Sequence, residues 1–280
     1  MKRHILLFAT IFLLLTACAG MAASDPVFPA TQPKVPAADA YEKPEYEVLP
    51  FVSGNQFLSE DGKQAVIAVY NYQIILLSLT NESALSPADA EAAARNLEAF
   101  NSKMQSISAD LTEQGKAMAA DAAEVYAEFG TLSSEYEDSA DVGADFSGDI
   151  VSVYLHRSTY SGGAHPNRYT ASYLFDLAAG QFIYPTQLAE DPEAFHAGAA
   201  EALLAQAETH PAHDSFWQDY TDIIACWNEA AVRFTSEGMT VCYSPYELAP
   251  YSAGEVELTL TWDQLRPLLG ETGMARLGRE

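Results

Sequence analysis

The chain has 280 residues, with 14 Lys and Arg against 39 Asp and Glu, for a formal net charge of −25. So anionic a surface repels polyanions and forgoes the counterion release that drives nucleic-acid binding, which excludes that class of function. The same field draws in cationic partners over the roughly 8–10 Å that screening leaves, and it also keeps an exported protein soluble.

The N-terminal stretch "MKRHILLFATIFLLLTAC" places Lys2 and Arg3 ahead of an apolar run from Ile5 to Leu15. That run is too short to span a bilayer and has the layout of a secretory signal. It ends in Leu15-Thr16-Ala17-Cys18, which resembles a bacterial lipobox. Residues 1–17 are then a lipoprotein signal peptide, and Cys18 is the lipidation site and mature N-terminus. Acyl chains contribute about 0.8 kcal/mol per buried methylene, so a multiply acylated Cys18 is a firm anchor. The expected location is extracytoplasmic, on a bacterial membrane, held by lipid alone. Residues 18–45 are rich in proline and alanine without an apolar period, and we expect a disordered tether.

The remaining chain is long enough for a real core. "YEVLPFVSG" and "QAVIAVYNYQIILLSLT" are β-branched and aromatic, which predicts strands. Ser86 and Pro87 suit the N-cap and first turn of a helix. Behind them Ala93, Leu97, Phe100, Met104, Ile107 and Leu111 recur at spacings of three and four, one helix face best explained as core. A break near Gly115 predicts a second helix carrying Met118, Ala122, Val125 and Phe129. Strands return from Leu132. In "GDIVSVYLHRSTY", Val151, Val153 and Leu155 point one way and Ser152, Tyr154 and His156 the other.

Two further strands flank Ala178-Ala179-Gly180, and a helix over "LAEDPEAFHAGAAEALLAQAE" follows. A hairpin turns at Glu237-Gly238. Last come "YSPYELAPYSAG", the strand "EVELTLT" and a short helix over "WDQLRPLLG". This order predicts α+β: a mostly antiparallel β-sheet with packed helices, including a helical segment near residues 86–130, and no βαβ repeat.

Cys226 and Cys242 are a disulfide candidate, because an oxidising compartment favours pairing. Local geometry argues the other way. The hairpin register sets Cys242 opposite Val232, roughly 20 Å along an extended arm from Cys226, whereas a bridge needs Cα atoms within about 7 Å. A bridge forms only if the chain folds back before Ala230.

In "TYSGGAHPNRYT", Gly162 and Gly163 allow positive φ, and Pro166 biases His165 towards an extended conformation. Tyr160 and Tyr169 should flank the turn. The tip either locks a hairpin through His165 or presents His165 and its tyrosines to a partner. Tyr246 and Tyr251 in "PYELAPY" make a second aromatic corner with the same two readings. His156, His165 and Asp176 lack tight metal-ligand spacing, and Pro211 separates His210 from His213. There is no G-x-S-x-G elbow. We assign no catalytic residue, metal or cofactor. A carboxylate pair near His165 acting on peptidoglycan or another envelope polysaccharide is the alternative.

"TYSGGAHPNRYTASYLFDLAAGQFI" and "RFTSEGMTVCYSPYELAPYSAGEVELTLTWDQLRPLL" together resemble the RsiV/PdaC-type extracytoplasmic domain family (domain of unknown function 3298, preceded by domain of unknown function 4163). The resemblance implies an N-terminal half over residues 46–184 and a C-terminal half over 185–280. Without a sigma-factor-binding segment, a membrane span or a deacetylase domain, neither the anti-sigma nor the deacetylase role carries over. What it implies is a binding module. Its partner would be a cationic protein of the lysozyme type or a cell-wall ligand, and Tyr160, Gly162, Gly163, His165, Tyr246 and Tyr251 are the ligand-binding candidates.

Overall fold

The β-branched and aromatic runs pair first. β1 (Tyr46–Leu58) and β2 (Val66–Leu79) lie antiparallel, with Tyr46 opposite Leu79. Helix α1 (Pro87–Phe129) leads to β3 (Tyr136–Ser147), β4 (Ile150–Tyr160), β5 (Asn167–Asp176) and β6 (Gln181–Ile183). These strands form one six-stranded sheet in chain order. Its pairs are antiparallel except β2 with β3, a parallel pair joined by α1. The architecture is α+β, as the order of elements predicts.

The structure, a computed structural model, describes residues 41–279 apart from residue 64. Cys18 and the signal-peptide segment lie outside the described residues. So does the expected tether up to residue 40. Its last residues are ordered: Glu42 N donates to Ala84 O at 3.1 Å, and Asn81 Nδ2 donates to Lys43 O at 2.7 Å. Among the described residues no helix is long and apolar enough to cross a membrane.

The expected break at Gly115 does not occur, for α1 is one helix of 43 residues. Ser86 caps it by accepting from Asp89 N, and Gly130, at φ 69°, closes it in the left-handed region. At Gly115 the helix lies tight against the sheet. A Cβ there would meet Tyr72 Oη at 2.5 Å and the Tyr70 ring at 2.7 Å. What reads as a breaker is a packing residue. Ala93, Phe100, Met104, Ile107 and Leu111 are buried, whereas Phe129 in the last turn is 67% exposed.

The other face of the sheet carries a second layer. Its strands are β7 (Val232–Phe234), β8 (Gly238–Tyr243) and β9 (Val256–Thr261), an antiparallel trio. Phe195 and Leu203 of α2 (Pro192–Ala207), Ile224 of α3 (Tyr220–Ala225) and Leu265 of α4 (Trp262–Arg276) share a core with Phe234, Val241 and Leu258. Thr261 and Gln264 form a capping box at the start of α4.

Polar contacts as well as a shared core join the layers. Phe234 N donates to Ser152 Oγ at 2.8 Å, the Arg233 guanidinium sits 4.9 Å from the Tyr154 ring centre, and Arg276 pairs with Asp176. β4 is thus covered on both faces along its first half, and the polar set emerges only beyond Tyr154. The hairpin register places Val241, not Cys242, opposite Val232. Cys226 is exposed at the end of α3, Cys242 is buried within β8, and both are free thiols.

Candidate functional site

The six residues between β4 and β5 meet a corner about eighty residues downstream. Gly162 and Gly163 adopt φ 93° and 107°, with open space where a side chain would stand, so backbone conformation alone calls for glycine. Tyr160 Oη donates to Gly163 O at 3.1 Å. His165 Nδ1 lies 3.0 Å from Pro166 O and Nε2 3.0 Å from Tyr246 Oη. A carbonyl only accepts, so in the neutral ring Nδ1 carries the proton and Nε2 accepts from Tyr246. The imidazole also stacks on Tyr251, with centroids 3.7 Å apart and 13° between planes. All six ligand-binding candidates therefore fall in one tip.

Tyr246 stands out within it. At φ 76° it is the non-glycine residue with positive φ among those described, and it is 53% exposed. Such a conformation costs a bulky residue about 1–3 kcal/mol and persists only where neighbours impose it. Here Trp217 Nε1 donates to Tyr246 O at 3.2 Å, Tyr246 N donates to Ala249 O at 3.0 Å, and His165 holds the hydroxyl.

Beside the tip, β3 to β5 floor a cleft of about 510 Å³. Asp141, His156 and Thr170 make one cross-strand row, and Ser139, Ser158 and Arg168 the next. Pro245, Tyr251, Gly254 and Glu255 line the opposite side. Thr170 donates its hydroxyl to Glu255 and so accepts from His156 Nδ1, 2.8 Å away. This chain leaves His156 Nε2 open. Asp141, Arg168, Ser139 and Ser158 have no side-chain hydrogen bond or ion pair among the described residues.

Under the floor, on the α1 side, lies a buried ion pair. Arg157 Nε donates to Asp138 Oδ1 at 2.8 Å and Nη2 to Oδ2 at 2.5 Å, and Tyr72 Oη donates to Oδ2 at 2.8 Å. Burial, reinforced by the Asp138 carboxylate, pushes the Tyr72 phenol far above its usual range. Burial opposes the Arg157 charge, but its bonds to Asp138 and Tyr169 outweigh that and hold it charged. Arg157 Nη1 also reaches Gln114 Oε1, and Tyr169 Oη at 3.1 Å. Tyr169 is thereby committed to the α1 side rather than flanking the tip with Tyr160.

Cys242, Glu255 and Glu257 bring ligand-type atoms within 4.8 Å of one another. Arg233 already pairs with Glu257 at 2.6 Å, and burial, then Glu257, pushes the Cys242 thiol up to about 12. A protonated thiol beside a neutralised carboxylate is a poor metal set. His210 Nδ1 accepts from Ala212 N, and His213 Nδ1 donates to Ala207 O, so both secure the end of α2. Asp141, Arg168, Thr170 and Glu255 escape sequence reasoning. The one available signal is the polar parity of His156 and Ser158 in β4, which does not say that this part of the strand is uncovered.

No curated protein matches the chain. Among solved structures, a member of the DUF3298 family from Bacteroides fragilis is similar to it, with 17% identity and a TM-score of 0.61. That similarity covers 84% of this chain and 98% of the other. A DUF3298 family protein from Pseudomonas aeruginosa is 18% identical over 80% of this chain and 96% of its own, with a TM-score of 0.48. At such identities the first likeness is one of fold. Residues 191–263, from the cap of α2 into the first turn of α4, match the family described as protein of unknown function (DUF3298). The chain thus contains a DUF3298 domain.

Proposed function

We propose that this chain is an extracytoplasmic lipoprotein, anchored through Cys18, that acts as a non-enzymatic binding module. Its partner is a cationic protein, best represented by a cell-wall hydrolase of the lysozyme type. The observation that carries this reading is Tyr246: a half-exposed aromatic held in a strained backbone by His165 and Trp217. Strain kept at the surface by two separate segments is what a preformed contact residue requires, and tyrosine is a recurrent interface anchor. The net charge of −25 and the resemblance to the RsiV-type module support a basic partner.

Calorimetry of the full chain in detergent with lysozyme, across a salt series, tests it. Binding should weaken with salt, and Tyr246→Ala should cut affinity by about 30-fold or more, as for an interface hot spot. No heat of binding at low salt sinks the proposal. The anchor has its own test: Cys18→Ser should release the protein from membranes. An enzyme acting on envelope polysaccharide is the second reading, favoured by the Glu255–Thr170–His156 chain that leaves Nε2 open to the cleft. Incubation with peptidoglycan decides it, for soluble products abolished by His156→Ala would replace the binding-module reading.

A further inference from the structure

We propose that the cleft beneath the tip is a separate binding site for an acidic saccharide. Its volume of about 510 Å³ falls in the range of small-molecule sites and admits a chain of a few sugar rings. The lining is more specific than the volume. Asp141 and the open Nε2 of His156 are acceptors, Arg168 is a five-donor fork, and Ser139 and Ser158 can both donate and accept. None of these groups is spent on an internal partner, whereas the ion pair directly beneath them is fully satisfied.

Unspent acceptors and donors alternating over two rows of a flat sheet suit vicinal hydroxyl groups, which offer both functions at neighbouring positions. Arg168 adds a requirement, because a guanidinium pairs best with a planar carboxylate. Other ligand classes fit less well. A phosphate monoester would bring close to two negative charges against Asp141 and Glu255 with Arg168 alone to offset them, where a sugar carboxylate brings one. A cationic peptide would meet Arg168. Apolar molecules would find Pro245 and the rings of Tyr169 and Tyr251 among otherwise mostly polar lining residues. An acidic sugar satisfies both signs of charge.

The Glu255–Thr170–His156 chain supports the same assignment. It fixes the imidazole orientation, so that Nε2 is presented as an acceptor without being ordered by the ligand. The site lies beside Tyr251, but it does not use the exposed hydroxyl of Tyr246. Tyr251 is shared by the tip and the cleft, whereas Arg168 and Asp141 belong to the cleft, so saccharide binding is read through those two side chains.

Saturation-transfer NMR and calorimetry on the full chain in detergent test this with three probes: N-acetylglucosaminyl-N-acetylmuramic acid, a uronic-acid oligosaccharide and the neutral disaccharide chitobiose. At least one acidic probe should bind about tenfold more tightly than chitobiose, the difference one charge-assisted contact makes. Arg168→Ala should abolish that preference, and Asp141→Asn should weaken every probe. Both side chains lack internal partners, so folding is not at stake. Preference for the muramyl probe points to wall glycan, and preference for the uronate to another acidic polysaccharide. Absence of binding, equal affinity for chitobiose, or indifference to both cleft substitutions overturns the proposal, whatever lysozyme does at the tip.

Discussion

Tyr246 offers a test in which the usual ranking of two substitutions is reversed. Replacing an ordinary residue by glycine is worse than replacing it by alanine by about 0.5–1 kcal/mol, because glycine loses more freedom on folding. At φ 76° the balance changes. Any residue with a Cβ pays about 1–2 kcal/mol in the left-handed region, and alanine keeps that strain while glycine sheds it. Both variants lose the bond to His165 Nε2, worth about 0.5–1.5 kcal/mol. Tyr246→Ala should therefore destabilise by about 1 kcal/mol. Tyr246→Gly should come out more stable than the alanine variant by about 0.5–1 kcal/mol, a melting difference of roughly 2 °C for a chain of this size. Thermal melts followed by near-ultraviolet circular dichroism measure this directly. Alanine equal to or above glycine would refute the claim that the backbone at this residue is strained, and with it the reason for regarding the tip as preformed.

Gly115→Ala should destabilise by about 1–3 kcal/mol through overpacking on Tyr72 and Tyr70, although alanine is the better helix former; a higher denaturation midpoint would contradict the close approach. Asp138→Asn leaves Arg157 buried without its charge partner and should cost about 3–5 kcal/mol in a urea titration, while a change below 1 kcal/mol would mean that water reaches the pair. Burial raises the Cys242 thiol from 9.0 to about 12, so between those values the folded state holds more protons than the unfolded one, and stability should fall as pH rises. Cys242→Ser should flatten that alkaline limb, and an unchanged slope would place the titration elsewhere. At pH 8 an alkylating reagent should label Cys226 in the native state and Cys242 only after unfolding; if neither reacts until reductant is added, the two are bridged.

Local signals made the elements legible, and tertiary partners decided the rest. The cap at Ser86 and the spacing from Ala93 to Leu111 name a helix because both are properties of one segment. Gly115 is different. In sequence a glycine that breaks a helix and one that admits a neighbouring strand look the same, and only Tyr70 and Tyr72, more than forty residues earlier, distinguish them. The tip was half legible in the same way. Glycines, proline and tyrosines mark each turn, but the stacking of His165 on Tyr251 depends on how the second layer sits on the first. The cleft was barely legible: the polar parity of His156 and Ser158 hints at it, but its floor comes from three strands and Glu255 from a loop far along the chain.

The buried ion pair and the cleft share the same stretch of sheet, and strand parity links them. Asp138 and Arg157 point towards α1, while their neighbours Ser139, Asp141, His156 and Ser158 point the other way. A slip of β4 by one residue against β3 would turn β4 over, burying His156 against the helix and stranding Arg157 in the cleft. The apolar residues of β4 resist such a slip only in part, because its first half is covered on both faces and both parities there are buried. In the second half the pair supplies what apolar pattern does not. Arg157 can reach both oxygens of Asp138, together with Gln114 and Tyr169, in one register alone. A buried pair adds little net stability after desolvation, but every alternative register leaves two charges unpaired, which is far costlier. Its position directly behind the cleft thus has a physical consequence: the same charges that are poor stabilisers determine which face of the sheet presents Asp141, His156 and Arg168.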